Sequence, residues 1–246
     1  MKTELTVVIP VLNSNQHLIA DLRQLGQSLI KSSISTEVVI VASSDSLHLT
    51  NDQYEEICAK TLLKIRAVTS VPNNNSKSLG RLLRIGNSLA DSKYVFFLIP
   101  EGKYDSNFLP KALNSCRDGA ALVIANRIHD GNTNITGAKV AFAQQRLFSW
   151  ALRIFGIKLP PDSTNSTRLF EKHFFDALAI SGNGWDMLAE QTVKTLLTNG
   201  RVETIDVLIP TFDLVGDYKV SFGDRIFGVT RITIRTLLHK IRIPWF

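Results

Sequence analysis

Two textures alternate along the chain. Short continuous runs of β-branched and aromatic residues are bounded by turn residues, and between them leucines recur every three or four positions. Leu5-Thr-Val-Val-Ile9, closed by Pro10, is the first run and predicts a buried strand. Asn13-Ser-Asn15 is a capping cluster, and Leu18, Leu22, Leu25 and Leu29 then fall on one helical face. Val38–Val41 repeats the strand texture and runs into Ala42-Ser-Ser-Asp-Ser46. A helix near Gln53–Leu62, a strand over Lys64–Val68, a loop at Pro72–Ser76 and a helix carrying Leu79, Leu82, Leu83 and Leu89 follow. Tyr94–Ile99 is the most apolar strand candidate, Phe108–Cys116 reads as a helix and Ala121–Ala125 as a strand.

Strands that alternate with helices imply an α/β fold, a mostly parallel central sheet with helices on both faces. In such sheets ligands bind beyond the carboxyl ends of the strands. That directs attention to Pro10–Asn13, Ala42–Asp45 and Pro100–Lys103. None holds a Gly-rich phosphate loop, which argues against dinucleotide-dependent dehydrogenases and P-loop NTPases. Beyond residue 126 the texture changes. His129–Gly137 is a polar loop, Met187–Leu197 predicts a helix and Val202–Thr211 a strand. Gln145–Lys158 is apolar with only basic charges, Arg146, Arg153 and Lys158. In Arg225–Phe246, Ile234, Leu237, Leu238 and Ile241 share one helical face and Arg231, Arg235, His239 and Arg242 another. An apolar stripe beside a basic face fits an interfacial membrane helix as well as a helix packed on its own domain. Thr230–Arg235 also alternates with period two, so a strand is open there.

Charge sharpens the partner question. Lys and Arg number 28 against 22 acidic residues, a net +6, which favours phosphates or an anionic membrane surface. Nucleic acid is not expected, because no recognisable motif accompanies the charge. Cys58 and Cys116 are expected to be core thiols in a reducing, cytoplasmic setting. No window reaches the roughly 18 apolar residues of a spanning helix. The five histidines form no ligand-spaced pair, so zinc is not expected. Glu190, on the Met187–Leu197 helix, is expected to be exposed or capping.

Several segments, in order, resemble the nucleotide-binding core of glycosyltransferase family 2, dolichol-phosphate mannose synthase type. Leu5–Asn13 is similar to its opening strand, Asn75–Gly86 to its Gly-containing helix, and Tyr94–Pro110 to its metal-motif segment. Val123-Ile-Ala-Asn-Arg127 resembles the strand ending in a phosphate-contacting Arg. Asp162–Arg168 resembles the acceptor-side loop, and Ile209–Phe212 with Gly216–Lys219 the closing strand and Gly-X-Ser-Lys turn. The motifs also depart from the family. Ser14 replaces an acid, Ala42-Ser-Ser-Asp45 replaces Asp-Asp-Gly-Ser, Ile99-Pro-Glu101 replaces the Asp-X-Asp metal motif, and Asp213 stands where an Arg is usual.

The resemblance implies a GT-A, Rossmann-like nucleotide-diphospho-sugar transferase domain over residues 1–219 and a basic amphipathic segment over 220–246. It implies sugar transfer from a nucleotide-sugar donor to a polyprenyl-phosphate acceptor, by a protein peripheral to the cytoplasmic membrane face. Glu101 is then the catalytic and metal carboxylate for Mg²⁺ or Mn²⁺, or else a solvated loop acid. Pro10, Asn13 and Asp45 would lie against the nucleotide, although Asp45 also suits an N-cap or turn. Arg127 and Arg168 would hold the acceptor phosphate, or serve as salt-bridge partners. Lys219 matches the family's terminal Lys, or is simply solvated. The alternative is a catalytically inactive homologue, a membrane-associated partner or regulatory subunit of an active transferase, with a homo-oligomer also open.

Overall fold

The structure, a computed structural model, describes residues 3–11, 17–32, 34–43, 55, 59, 64–70, 79–100, 104–127, 138–207 and 222–240. Among the described residues seven strands form one sheet: β1 (Leu5–Val11), β2 (Thr36–Ser43), β3 (Lys64–Ser70), β4 (Tyr94–Phe97), β5 (Leu122–Asn126), β6 (Arg168–Glu171) and β7 (Val202–Asp206). The helices are α1 (Leu18–Ser32), α2 (Leu79–Leu89), α3 (Phe108–Arg117), α4 (Ala138–Ile154), α5 (Lys172–Ala177), α6 (Asp186–Leu197) and α7 (Phe222–Lys240). The strand order is β3-β2-β1-β4-β6-β5-β7. All neighbouring pairs are parallel except those of β6, which runs antiparallel between β4 and β5. The mostly parallel sheet expected from the alternation is therefore the observed one.

Period two divides the core into two layers. Leu5, Val7, Ile9 and Val11 of β1 face α1 and α3, where Leu18, Leu22, Leu25, Phe108 and Leu113 are buried. Val8, Val39, Val41, Val95 and Phe97 face α2 and α6, against Leu82, Leu83, Met187 and Leu188. Helix α2 lies close to the sheet because Gly86 has no side chain. A Cβ there would sit 2.1 Å from Val8 Cγ1.

A third cluster packs α4 and α7 onto α6, outside the two layers that face the sheet. Phe148 and Leu152 of α4, Ala189 and Val193 of α6, and Ile232 of α7 are buried together. The segment at 230–235 is thus helical, and the period-two reading is overturned. Ile232 and Thr236 point inward, while the Thr233 and Thr236 hydroxyls donate to the carbonyls of Val229 and Ile232. That back-bonding satisfies hydroxyls that would otherwise favour extended backbone. Cys116 is a buried free thiol, as expected, whereas Cys58 and most of the helix expected near Gln53–Leu62 lie outside the described residues. Among the described residues, no helix is long and apolar enough to cross a membrane.

Candidate functional site

The carboxyl edge of the sheet gathers the ends of β1, β2, β4, β5 and β7, together with the start of antiparallel β6. Pro10 lies in β1, opposite Val41 of β2. Its missing N–H falls on the β4 side. Val8, two residues earlier on the same side, accepts from Leu98 N, and the β1–β4 ladder ends there. A proline is tolerated where the ladder stops. Asn13, Asp45, Glu101 and Lys219 lie outside the described residues. Ile99, at the place of the metal motif's first acid, is 3% exposed and packed in the α2–α6 core layer. Among the described residues, no group of three or more His, Cys, Asp or Glu is placed to hold a metal ion.

Arg127 follows β5 and is held by Asp162. Its Nε donates to Oδ2 at 2.6 Å, Nη2 to Oδ1 at 2.8 Å, and its backbone N–H to Oδ2 at 3.1 Å. This is a fork-to-fork pair, the strong form of an Arg–carboxylate contact. Both side chains are largely shielded, at 17% and 4% exposure. Asp162 reaches Arg127 from a left-handed backbone turn (φ 50°) after Pro160-Pro161, a conformation Asp tolerates better than most residues.

Arg168 lies beneath this pair rather than on the surface of the edge. The expectation that it meets an acceptor phosphate is corrected on that ground. It is fully buried. Its Nε donates to Asn165 O at 2.8 Å and Nη1 to Leu188 O at 2.8 Å and Gln191 Oε1 at 3.1 Å, while Nη2 donates to Ser163 O at 3.2 Å and to Asn165 O. Burial pushes its guanidinium down to about 9, with Asp162 opposing the shift and Arg127 adding to it, so it is still charged at neutral pH. Its role in the geometry is to fasten the 162–167 loop to α6. The loop is tied elsewhere as well. Asn165 Nδ2 donates to Ala125 O at 2.6 Å, Thr192 Oγ1 to Ser163 O at 2.8 Å, and Gln145 Nε2 of α4 to Ser163 Oγ at 2.6 Å.

A second buried polar cluster adjoins α6. Glu190 is fully buried, not exposed or capping as expected. It accepts from Ser181 N at 3.1 Å, Ser181 Oγ at 3.1 Å and Gly182 N at 2.7 Å, with Lys194 Nζ at 3.3 Å. Gly182 is required by the close approach of the α6 backbone, since a Cβ would lie 2.7 Å from Met187 Cα. Lys194 also donates to Leu178 O and Ala179 O, and burial lowers its pKa against the opposing pull of Glu190. Arg231 of α7 pairs with Asp186. The sequence signalled neither cluster as such. Asp162 stood in a motif, but its partner lay 35 positions away, and nothing local marked Gln191 or Thr192.

The mostly parallel seven-stranded sheet with its one antiparallel strand is a GT-A type of fold. One solved structure of this shape is glucosyl-3-phosphoglycerate synthase from Mycobacterium tuberculosis in complex with Mn²⁺, UDP-glucose and phosphoglyceric acid. It superposes with a TM-score of 0.64 at 16% identity, over 99% of this chain and 81% of that one. The same enzyme in complex with UDP gives 0.62 at 15% identity, over 99% and 81%. A further structure, described only as a mycobacterial protein, gives 0.60 at 14% identity, over 99% and 76%. No protein-family model matches the chain, and no curated protein matches it. Likeness at this level of identity speaks for the fold alone.

Proposed function

We propose that this chain transfers a sugar from a nucleotide-sugar donor to a phosphorylated acceptor of the polyprenyl-phosphate kind, at a membrane face. The carrying observation is the Arg127–Asp162 pair, fixed at the carboxyl end of β5 in a GT-A sheet. Two guanidinium groups, Arg127 and buried Arg168, surround one carboxylate, Asp162, so the local charge is net positive and suits an anionic acceptor. Asp162 holds the Arg127 fork in one plane, which gives a phosphate a preset rather than a floppy partner. Arg168 acts as a positioning residue through Asn165 and Ser163. The solved neighbours that hold UDP-glucose with phosphoglyceric acid support a donor and acceptor of this chemistry.

Pro10, Asn13 and Asp45 would border the nucleotide, and Lys219 its phosphates. Mn²⁺ or Mg²⁺ accompanies UDP in neighbouring structures. Here Ile99 is core-packed, so Glu101 would be the carboxylate of that motif left to hold such an ion. When bound, the ion would offset charge on the departing diphosphate. In the transfer an acceptor phosphate oxygen bonds to the anomeric carbon. The bond from that carbon to the diphosphate oxygen breaks, and its electron pair leaves with the nucleoside diphosphate. The acceptor phosphate is already ionised, so no base is required.

The burial of Ile99 favours a second reading, a non-catalytic partner of an active transferase that keeps the fold and the anion contacts. Calorimetry with UDP- and GDP-sugars, with and without Mn²⁺, separates the two. Metal-dependent binding lost in Glu101→Ala is the result expected for a transferase. No binding of any common nucleotide sugar would sink the transferase and leave the partner reading.

A further inference from the structure

The outer face of α4 and α7 is unlike the rest of the described surface. The large hydrophobic side chains exposed among the described residues are Leu147, Trp150 and Ile154 of α4 and Phe227, Ile234 and Leu237 of α7. On α4 they follow i, i+3, i+7 spacing. On α7 they follow i, i+7, i+10 spacing, so each set forms one stripe. The two helices share a buried seam through Phe148, Leu152 and Ile232, which turns their other faces outward.

Beside the α4 stripe lies a cleft of about 410 Å³ lined by Arg146, Ser149, Trp150, Arg153, Lys158 and Leu159. Arg146, Arg153 and Lys158 are exposed, and none pairs with a carboxylate among the described residues. Helix α4 contains no acidic residue. The carboxyl end of a helix carries about half a negative charge, which three full cations outweigh. Trp150 belongs to both features, with its ring in the apolar stripe and on the wall of the basic cleft. An apolar stripe bordered by unpaired cations, with an aromatic ring at the boundary, has the chemistry of an interfacial helix on an anionic bilayer.

We propose that this cleft is a headgroup site for a phosphate-bearing lipid of an anionic membrane, with Leu147, Trp150 and Ile154 entering the acyl boundary. It is separate from the Arg127–Asp162 pair but connected to it. Gln145, the residue before Arg146, holds Ser163 of the acceptor-side loop, and Lys158 and Leu159 lead directly into Pro160-Pro161-Asp162. The inference rests on the preceding reading only in assigning the membrane to the acceptor side. Its physical content, lipid binding by α4, stands without any sugar transfer.

The test is co-sedimentation of the full chain with vesicles, in the absence of nucleotide sugar. One set is equimolar phosphatidylcholine and phosphatidylglycerol, the other phosphatidylcholine alone. Binding is expected on the anionic set. The triple variant Arg146→Gln, Arg153→Gln, Lys158→Gln should weaken it on the order of a hundredfold, with an unchanged melting profile because all three side chains are exposed. Trp150→Ser should weaken it on the same vesicles. Equal binding to pure phosphatidylcholine, or full binding by the triple variant, overturns the headgroup site. So does concentration-dependent dimerisation that Trp150→Ser abolishes, since the face would then serve self-association. Failure of the transferase reading is seen separately, as absent nucleotide-sugar binding with vesicle binding intact.

Discussion

Replacing Arg168 with methionine tests the claim that this cation builds the acceptor-side loop from below. The side chain is fully buried, and its donors end on three main-chain carbonyls, one amide oxygen and, at 3.4 Å, the Thr192 hydroxyl. Methionine fills much of the volume but donates nothing. The consequences differ between acceptors. Ser163 O and Leu188 O keep a share of the single Thr192 hydroxyl proton, at 2.8 and 3.1 Å. Asn165 O loses both of its contacts from Arg168, and Gln191 Oε1 loses its donor. Two buried acceptors left unsatisfied at about 1–3 kcal/mol each give about 2–6 kcal/mol. Removing a desolvated cation returns part of that, so a loss of about 3 kcal/mol is expected. In a domain of this size that lowers the midpoint by about 6–12 °C. Urea unfolding followed by tryptophan fluorescence reads the difference directly. A loss under about 0.5 kcal/mol, the size of an ordinary surface change, would refute the argument. Arg168→Lys should fall between the two, because one ammonium cannot span acceptors on both the loop and α6.

Three further outcomes follow from the same geometry. Glu190→Ala removes the carboxylate beside the buried Lys194 ammonium and should cost about 3–5 kcal/mol in urea unfolding; adding Lys194→Met should recover much of it. Gly86→Ala places a methyl into Val8 and should cost about 1–3 kcal/mol, partly relieved when Val8→Ala is combined with it. Burial pushes the Cys116 thiol up to about 12. Its folded value lies above the unfolded one, near 8.5, so its contribution to stability is complete below that pH and fades as pH rises toward 12. In a Cys58→Ser background, the thiol should resist alkylation at neutral pH until denaturant is added, and rapid labelling of the native chain would contradict its burial.

Legibility in the sequence followed the length and burial of each element. Strands buried on both faces, such as Val38–Val41 and Tyr94–Phe97, are unbroken apolar runs, and their helices keep leucines on one face. Local pattern therefore coincides with tertiary packing. Strand β6 escaped this logic. It is four residues long, begins with an arginine, and follows a polar turn, so nothing in Arg168–Glu171 announces a central strand. The same fact hid the role of Arg168. A phosphate-binding arginine and a loop-supporting one look alike in sequence, and only the nearby carbonyls of α6 distinguish them. Glu190 was misread for a related reason. Its burial depends on the Ser181–Gly182 backbone amides and on Lys194 one turn away, and a charged residue is ordinarily expected outside. Arg127 was placed correctly at a strand end, but its partner Asp162 came from a turn after two prolines and was not foreseen as a pair.

Helix α6 is where these observations meet. Residues from Met187 to Thr195 are all buried, yet the helix is not simply a hydrophobic core rod. Leu188 O, Gln191 and Thr192 grip the 162–168 segment, and through it the Asp162–Arg127 pair. Glu190 and Lys194 grip the 178–182 turn, and Asp186 grips Arg231 of α7. Ala189 and Val193 carry α4 and α7. Three faces of one helix thus join the edge of the sheet to the two helices with exposed apolar stripes. A polar residue in a buried helix is tolerated only with full hydrogen bonding, and each of these is bonded to a neighbouring layer. The net +6 of the chain acquires a structural division of labour from this. Arg168 and Lys194 are internal fasteners, Arg127 is held at the edge by a carboxylate, and Arg146, Arg153 and Lys158 face outward without one. Of these three groups, the last has no carboxylate partner among the described residues, so the outward face displays its positive charge more openly than the Arg127–Asp162 pair at the sheet edge does.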